Sequence, residues 1–265
     1  MPENLKYGVS TWLWESPFTT TSVSLFPKIK KMGFDIVEIP VGDPALIDGE
    51  IVKKALIAHG LKATICGVFG PTKDLTSNDV SLHENCFRYV EQCFELCNLL
   101  CVDFLAGPIY SAVGKARMIP QDQRKVEWEL AVTNVRKICE LGKASGQYIA
   151  LEPLNRFESD LVNTAADVMR LIMDINHENA MVVLDSFHMT IEETNIRKAI
   201  NRVGDKLIHV QVSENHRGIP GTGLTPWNEF KLGLQDSTYN FVSLIIRFTP
   251  HLSQLHCFVD IRHQF

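Results

Sequence analysis

Strand-like and helix-like segments alternate from one end of the chain to the other, and this alternation constrains the fold more than any other feature. Short apolar runs typical of buried parallel strands recur at Tyr7–Ser10, Ile36–Ile39, Ala63–Cys66, Phe104–Ala106, Tyr148–Glu152, Met181–Asp185, Leu207–Val212 and Phe241–Ile246. Amphipathic segments separate these runs, without a linker or a low-complexity stretch. Eight alternations in 265 residues match a closed (β/α)8 barrel better than an open doubly wound sheet. We therefore predict an α/β fold, a single TIM-barrel domain over residues 1–265.

Glycines and capping residues mark the ends of the helices. The predicted helices with clear bounds are Ser22–Met32, Ile51–His59, Val126–Ala144 and Thr164–Ile175. Gly33 and Gly60 follow the first two of these, where helices commonly end in a left-handed glycine. Asn163 or Thr164 is available as the amino-terminal cap of the last helix. No GxGxxG motif follows a strand, which argues against a dinucleotide-binding fold.

Composition excludes several classes of protein. The net charge of −5 gives no sign of a surface for nucleic acid or for membranes. No apolar run approaches the length of about 18 residues that a membrane span needs, and the amino terminus does not resemble a signal peptide. Cys86, Cys93 and Cys97 follow helical spacing within Leu82–Leu100, and CxxC pairs typical of metal clusters are missing. We expect a soluble, cytoplasmic protein whose cysteines pack in a reducing compartment.

Polar side chains lie at the carboxyl ends of three successive predicted strands. The fifth strand ends on Glu152, the sixth ends on Asp185, and the seventh carries His209 and Gln211 on one face. The carboxyl ends of parallel strands meet at one end of a barrel, which is where the active sites of such folds lie. The pattern therefore predicts an enzyme, or the descendant of one.

Glu152 and Asp185 supply hard oxygen ligands that suit Mg²⁺ or Mn²⁺, or Co²⁺, better than zinc. A metal ion there could chelate a hydroxy-carbonyl substrate and stabilise the enediolate that forms when a proton leaves beside the carbonyl. His188, three residues after Asp185, can donate to a substrate hydroxyl or to the metal shell. Arg217 can hold sugar oxygens, and Glu158 can accept a hydrogen bond from a hydroxyl.

Simpler structural explanations compete for each of these side chains. Glu152 could cap the helix that follows it, and His188 could belong only to the first turn of the next helix. For Arg217, an ion pair with Glu214 is as good an explanation as contact with substrate. His209 lies two residues deeper than Gln211, where a buried, hydrogen-bonded core histidine is the better interpretation.

Three other segments could line a pocket at this end of the barrel. Trp12 and Trp14 follow the first strand and could wall the apolar face of a sugar, although simple packing explains them equally well. Cys66 ends the third strand and could also face the pocket. Gly221–Gly223 could form an anion-binding turn, although a plain loop is the better interpretation.

Four motifs together carry a resemblance to a known family. They are LAGPIYSAVGK (Leu105–Lys115), LEPLNRFESD (Leu151–Asp160), LDSFHM (Leu184–Met189) and ENHRGIPGTG (Glu214–Gly223). From Tyr7 to about Phe230, the chain resembles the D-tagatose/D-psicose (ketose) 3-epimerases of the sugar phosphate isomerase/epimerase barrels. The resemblance implies an isomerase of carbohydrate metabolism that acts on a small ketose and assembles into dimers or tetramers.

The resemblance also implies roles for individual residues. The family's divalent metal ion is held by a glutamate, an aspartate, a histidine and a second glutamate on strands five to eight. The first two of these ligands fall on Glu152 and Asp185. The family's substrate-contacting glutamate, histidine and arginine fall on Glu158, His188 and Arg217.

This chain departs from the family pattern at the other two ligands. Gln211 stands where the strand-seven histidine is expected, and its amide oxygen is a weaker, neutral ligand for a hard cation. Ile246 stands where the strand-eight glutamate is expected, and no Asp or Glu occurs between Phe241 and Val259. The predicted metal ligands are therefore Glu152, Asp185 and Gln211, with a weakly bound ion. The segment 241–265, including the expected last helix, is atypical of the family.

The missing glutamate has a mechanistic consequence. Inverting a carbon beside a carbonyl requires one base on each face, and only Glu152 is left to serve. We therefore expect weak or absent 3-epimerase activity. Proton transfer on one face of the carbon, as in an aldose–ketose isomerase, is still possible with one base. The main alternative is a non-catalytic descendant that binds a sugar or a partner. Metal-dependent phosphodiester cleavage is disfavoured, because histidines are sparse and the charge balance is acidic.

Overall fold

Eight parallel strands close into a barrel in chain order, which confirms the predicted fold. The computed structural model describes residues 6–237 and 243–246. The strands are β1 (Lys6–Ser10), β2 (Ile36–Val41), β3 (Lys62–Gly67), β4 (Phe104–Gly107), β5 (Tyr148–Leu151), β6 (Ala180–Asp185), β7 (Leu207–Val212) and β8 (Ser243–Ile246). Parallel pairing of β8 with both β7 and β1 completes the ring.

Helices follow the strands along the chain and pack around the sheet. They are α1 (Phe26–Lys31), α2 (Gly49–His59), α3 (Val80–Leu100), α4 (Gln121–Ser145), α5 (Ala165–Ile175), α6 (Ser186–Glu192), α7 (Ile196–Val203) and α8 (Trp227–Asp236). Within the described residues, no helix combines the length and the apolar character needed to cross a membrane.

Local sequence explains where several helices begin and end. Gly60 ends α2 in a left-handed conformation (φ 59°), as predicted. Thr164, rather than Asn163, caps α5, because its hydroxyl accepts from the Asp167 N–H while the Asp167 carboxylate accepts from the Thr164 N–H. The predicted single helix Ser22–Met32 is wrong in its first half. A 3₁₀ segment runs to Leu25, and α1 then begins at Phe26, with Pro27 in its first turn, where proline suits a helix start.

The cysteines of α3 serve the core, as their spacing predicted. Cys86, Cys93 and Cys97 are fully buried against the sheet side of the helix. Burial raises the pKa of the Cys86 and Cys93 thiols to about 12, so both stay protonated and unreactive. Every cysteine in the described residues is a free thiol.

Alternation along the strands separates a helix-facing core from the barrel interior. Outward residues such as Leu184 and Val210 join the large core beneath the helices. A separate apolar cluster contains small side chains, among them Ala106 and Ala150, together with Val183 and Ile208. Ala150 and Val183 face the same side as Glu152 and Asp185, which lie two residues further along, and Ile208 lies at the register shift between β6 and β7. Small apolar side chains therefore pack beneath the residues at the ends of β5 and β6.

Strand β8 carries no carboxylate, and its pairing fixes which of its residues lies level with Gln211. Ile245 is level with Gln211, whereas Ile246 is level with Val212, which faces the helices. The family resemblance aligned Ile246 with the strand-eight glutamate, and pairing with both neighbouring strands makes Ile245 the residue level with Gln211. Residues 238–242 and 247–265, including most of the segment predicted to be atypical, lie outside the described residues.

Candidate active site

The end of β5 is held rigidly, and this places Glu152. The Glu152 N–H donates to the Gly107 carbonyl at 3.0 Å, and the Tyr110 hydroxyl donates to the Glu152 carbonyl at 3.0 Å. Gly107 adopts φ +134°, and a Cβ there would come within 2.8 Å of the Gly67 carbonyl oxygen. Only glycine therefore lets the end of β4 lie this close to β3 while its carbonyl accepts from Glu152. The Glu152 side chain is 1% exposed.

The two carboxylate oxygens of Asp185 have different partners, one in the backbone of the next helix and one in the candidate site. Oδ1 accepts from the Phe187 N–H at 2.9 Å and caps α6. Oδ2 accepts from Arg217 Nη1 at 2.5 Å. The end of β6 is tied to the end of β7, because the Ser186 hydroxyl donates to the Ser213 carbonyl and accepts from its N–H. A capping role and a role in the site thus coexist in one carboxylate.

His188 lies in the first turn of α6, yet it also faces the site. Its Nδ1 accepts from the Asn155 backbone N–H at 3.0 Å and lies 2.8 Å from Asn155 Nδ2. A backbone N–H can only donate, so the neutral ring carries its hydrogen on Nε2. Nε2 lies 3.5 Å from Glu152 Oε1 and 4.0 Å from Asp185 Oδ2. Sequence reasoning missed Asn155, since nothing in its local pattern distinguishes it from an ordinary loop residue.

Arg217 contacts the same group from the loop after β7. Its Nη2 lies 3.1 Å from His188 Nε2, and its guanidinium stacks 3.9 Å above the Phe187 ring. A left-handed backbone (φ 56°) at Arg217 closes a turn in which its N–H donates to the Glu214 carbonyl. The ion pair proposed between the Arg217 and Glu214 side chains is wrong, because the guanidinium pairs with Asp185 and the Glu214 carboxylate is engaged within its own loop.

Glu152, Asp185 and His188 form a group that could hold a metal ion. Their ligand atoms all lie within 4.8 Å of one another, and each residue is at most 2% exposed. Buried carboxylates require a cation or hydrogen-bond donors nearby, and a pair of carboxylates suits a hard divalent ion. The donor set therefore fits such an ion.

Gln211, the third predicted ligand, is fully buried and lies level with Asp185 on the neighbouring strand. Its Nε2 donates to Glu38 Oε2 at 2.8 Å. His209 Nε2 lies 3.1 Å from the same oxygen, so the interpretation of His209 as a buried, hydrogen-bonded core residue is confirmed. Glu38 was missed from the sequence, although a lone carboxylate inside the apolar strand β2 was a usable signal.

Comparison with known proteins decides the family. The profile described as xylose isomerase-like TIM barrel matches residues 26–252. A D-psicose 3-epimerase of Ruminiclostridium cellulolyticum is 33% identical over 241 residues, which are 89% of this chain and 81% of that protein. The chain belongs to the ketose 3-epimerase family. The resemblance read from the four motifs is thereby confirmed.

Two other ketose 3-epimerases are similar to this chain over nearly its whole length. An L-ribulose 3-epimerase of Methylomonas sp. is 27% identical over 264 residues, covering 97% of this chain and 91% of that protein. The crystal structure of a D-allulose 3-epimerase from Methylomonas sp. in complex with D-allulose superimposes with a TM-score of 0.87 at 26% identity. That match covers 97% of this chain and 90% of the other.

In this family member, the loops after β4 and β5 support one another beside the site. Asn155 Nδ2 donates to Glu158 Oε1 at 2.9 Å, and the Glu158 carbonyl accepts from the Gly114 N–H at 2.8 Å. Lys115, the last residue of the first family motif, pairs with Asp74 at 2.9 Å and with Glu127 at 3.1 Å. The motif residues therefore hold Glu158 near His188 through Asn155.

The two remaining predicted pocket residues occupy strand ends. Cys66 is buried near the end of β3, level with Ala106 on β4. Trp12 lies in the short 3₁₀ segment that follows β1 and is half-buried. Both positions are at the carboxyl end of the barrel, and a substrate contact for either stays a prediction.

The loop after β7 folds around the buried carboxylate of Glu214. Oε1 accepts from the N–H groups of Thr225 at 2.7 Å and Asn215 at 3.1 Å. Oε2 accepts from the Gly221 N–H at 2.8 Å and from the Trp227 indole at 2.9 Å. The Gly221 N–H, which an anion bound at this glycine turn would need, thus donates to the Glu214 carboxylate instead. The anion-binding interpretation is wrong, and the turn is part of a structured loop.

Replacing Glu214 by glutamine is expected to destabilise the family member in a pH-dependent way. Burial alone would raise the pKa of the Glu214 carboxyl, but hydrogen bonds from Thr225, Trp227 and Asn215 outweigh it and lower the pKa from 4.5 to about 2. A lowered folded-state pKa stabilises the protein above the unfolded pKa, and the stabilisation fades as pH falls through the folded pKa. The contribution at neutral pH is on the order of 3 kcal/mol.

Urea unfolding of the wild type and Glu214→Gln would measure this difference. We expect a gap of about 2–3 kcal/mol at neutral pH that narrows as the pH falls from about 4.5 towards 2. Glu91→Gln, on the exposed face of α3, is the matched control and should change stability by less than about 0.5 kcal/mol. A gap that does not depend on pH would contradict the explanation.

Proposed function

We propose that this chain catalyses metal-assisted proton abstraction beside the carbonyl of a ketose, with Glu152 as the base. The observation that carries the proposal is the buried group of Glu152, Asp185 and His188 at the carboxyl end of the barrel. A carboxylate at this place can remove a proton from a carbon acid when the developing charge is stabilised nearby. The names of the family relatives support a ketose as substrate.

Mn²⁺ or Mg²⁺, or Co²⁺, is the proposed cofactor, with Glu152, Asp185 and Gln211 as its ligands. The ion would supply Lewis-acid stabilisation of the negative charge that forms on the substrate oxygen. His188 Nε2 also lies close to both carboxylates, but it carries the ring hydrogen, so His188 is assigned to substrate binding rather than to the ion. Gln211 contributes no charge, so we expect weaker binding than a fourth charged ligand would give.

The other side chains orient the substrate in this proposal. Asn155 fixes the hydrogen of His188 on Nε2, from which it donates to a substrate hydroxyl. Glu158, held by Asn155, accepts from another hydroxyl. Arg217 exchanges part of its contact with Asp185 for substrate oxygens, which the guanidinium fork can bind in pairs. Trp12 and Cys66 complete the pocket wall.

The second face of the reacting carbon lacks a base in this proposal. Strand β8 contributes Ser, Leu and two Ile, and none of these side chains transfers a proton efficiently. We therefore propose that 3-epimerisation is weak and that exchange of the substrate proton on one face is retained.

Deuterium exchange measured by NMR tests the proposal directly. The protein is incubated with Mn²⁺ in D₂O and with D-fructose, D-psicose or D-tagatose. Deuterium at C3 with retained configuration is the expected result, and deuterium at C1 would indicate aldose–ketose isomerisation by the same base. Deuterium at C3 with rapid epimer formation would show that a second base exists and would refute the impairment. No exchange with any sugar would refute the catalytic proposal.

The second candidate function is a non-catalytic sugar-binding protein. The absence of a carboxylate in β8 favours it, because a binding role needs no proton transfer to the second face. This function predicts sugar binding that survives EDTA, together with no proton exchange at any carbon. Binding that disappears with the metal would instead favour the enzyme.

A further inference from the structure

Glu38 is a buried carboxylate that reaches across the interior of the barrel. It lies on β2 and is 1% exposed, and it contacts Gln211 and His209 on β7. Strands β8 and β1 separate β7 from β2 in the ring, so this contact crosses the barrel rather than running along the sheet. Carboxylates at such depth are costly to bury and need donors that hold them.

The Glu38 contact determines which way the Gln211 amide points. The two ends of an amide have nearly the same shape and are distinguished only by their hydrogen bonds. A carboxylate oxygen accepts hydrogen bonds and cannot donate, so Gln211 must present its NH₂ group to Glu38, at 2.8 Å. The Gln211 oxygen is therefore turned away from Glu38.

The orientation matters because of where Gln211 stands. It is level with Asp185 on the adjacent strand, beside the group proposed to bind the divalent ion. We propose that Glu38 is a positioning residue, which orients the Gln211 amide so that Oε1 serves as a ligand of that ion. This inference rests on the proposed function, since it concerns the same cation. Glu38 acts through Gln211 and does not itself contact the reacting atoms.

The same contact also makes the amide oxygen a better ligand. An amide that donates to a carboxylate is polarised, which increases the negative charge on its oxygen. A neutral glutamine is a weak ligand for a hard cation when it stands alone. Glu38 thus compensates in part for the lack of a charged or imidazole ligand at this position.

Mn²⁺ affinity, measured by titration calorimetry without substrate, tests the positioning role. The variants form a cycle of Glu38→Gln, Gln211→Met and the double variant. Glutamine at position 38 can donate as well as accept, so it no longer selects one amide orientation. Each single variant is expected to raise the Kd by about 10–100-fold, the usual range for partners of metal ligands. The double variant should bind no more weakly than the weaker single variant.

Two outcomes would overturn the assignment. An unchanged Kd for Glu38→Gln would show that Gln211 does not depend on it. Multiplying losses in the double variant would show that Glu38 acts independently of Gln211. His209→Asn is the matched control, because His209 shares the Glu38 oxygen while Gln211 keeps its own contact. A loss of affinity in this control as large as in Glu38→Gln would indicate general damage to the core.

Stability is measured alongside, since a buried carboxylate is removed. If Glu38→Gln unfolds, Glu38→Asp keeps the charge but withdraws it from Gln211, and a rise in Kd is still expected. A wild type that binds no Mn²⁺ would refute both the positioning role and the proposed function. A wild type that binds Mn²⁺ while neither Glu38 variant changes the Kd would refute the positioning role alone.

Discussion

Glu152→Gln is expected to abolish exchange of the substrate C3 proton. Glutamine matches the shape of glutamate but cannot accept the proton, and a general base contributes about 10²–10⁴-fold to such a reaction. The burial of Glu152 and the hydrogen bonds that hold the end of β5 should allow the variant to fold normally. The rate of deuterium incorporation in D₂O, followed by NMR at saturating Mn²⁺, measures the effect.

Glu158→Gln is the matched control for this experiment. Glu158 is half-buried on the adjoining loop and is assigned to substrate binding, so its variant should raise KM more than it lowers kcat. Calorimetry with Mn²⁺ separates loss of the base from loss of a ligand, because saturation is checked for each variant. Exchange in Glu152→Gln within tenfold of the wild-type rate would contradict the assignment of Glu152 as the base.

A carboxylate restored to β8 is expected to increase 3-epimerase activity. In a Gln211→His background, a glutamate that faces the barrel interior would supply a base on the second face and another ligand. The gain should reach about 10²–10⁴-fold. Strand pairing places position 245 level with Gln211, whereas the family resemblance aligned position 246 with the strand-eight glutamate. Because neighbouring positions of a strand face opposite sides, only one of Ile245→Glu and Ile246→Glu should gain activity.

The two variants control for one another. They have the same composition and add the same charge one residue apart, so a general effect of charge would appear in both. Conversion of D-fructose to D-psicose, followed by chromatography, gives the rates, and thermal unfolding identifies damage from a misplaced carboxylate. If both variants fold and bind Mn²⁺ but neither gains 3-epimerase activity, the explanation by a missing second base is contradicted.

Periodicity explains why the barrel and two residues of the candidate site could be predicted from the sequence. The side chains of a strand alternate in a fixed way, and parallel strands present their ends together, so Glu152 and Asp185 could be expected near each other before any distance was known. Asn155 and Glu38 could not be linked to the site in this way. Each acts through a partner at least 33 positions away in the chain.

Sequence patterns within a single loop could not predict hydrogen bonds to residues on neighbouring elements. The sequence left an ion pair between Arg217 and Glu214 in its own loop as good an explanation as contact with substrate, but the guanidinium pairs with Asp185. From the sequence, the glycine turn at Gly221 could have been an anion-binding turn. In the folded protein its N–H donates to the Glu214 carboxylate. In both cases the competing partner is a carboxylate whose position depends on packing.

The sequence by itself determined the eightfold alternation and the polar residues at the ends of β5 and β6, because these follow from periodicities of two and 3.6 residues along the chain. Its four motifs carried the resemblance to the family. Only the tertiary structure decided the hydrogen position on His188, the orientation of Gln211 and the partner of Arg217. These are set by contacts between strands and loops far apart in sequence. Closing the barrel brings such groups within hydrogen-bond distance, and no local pattern encodes that closure.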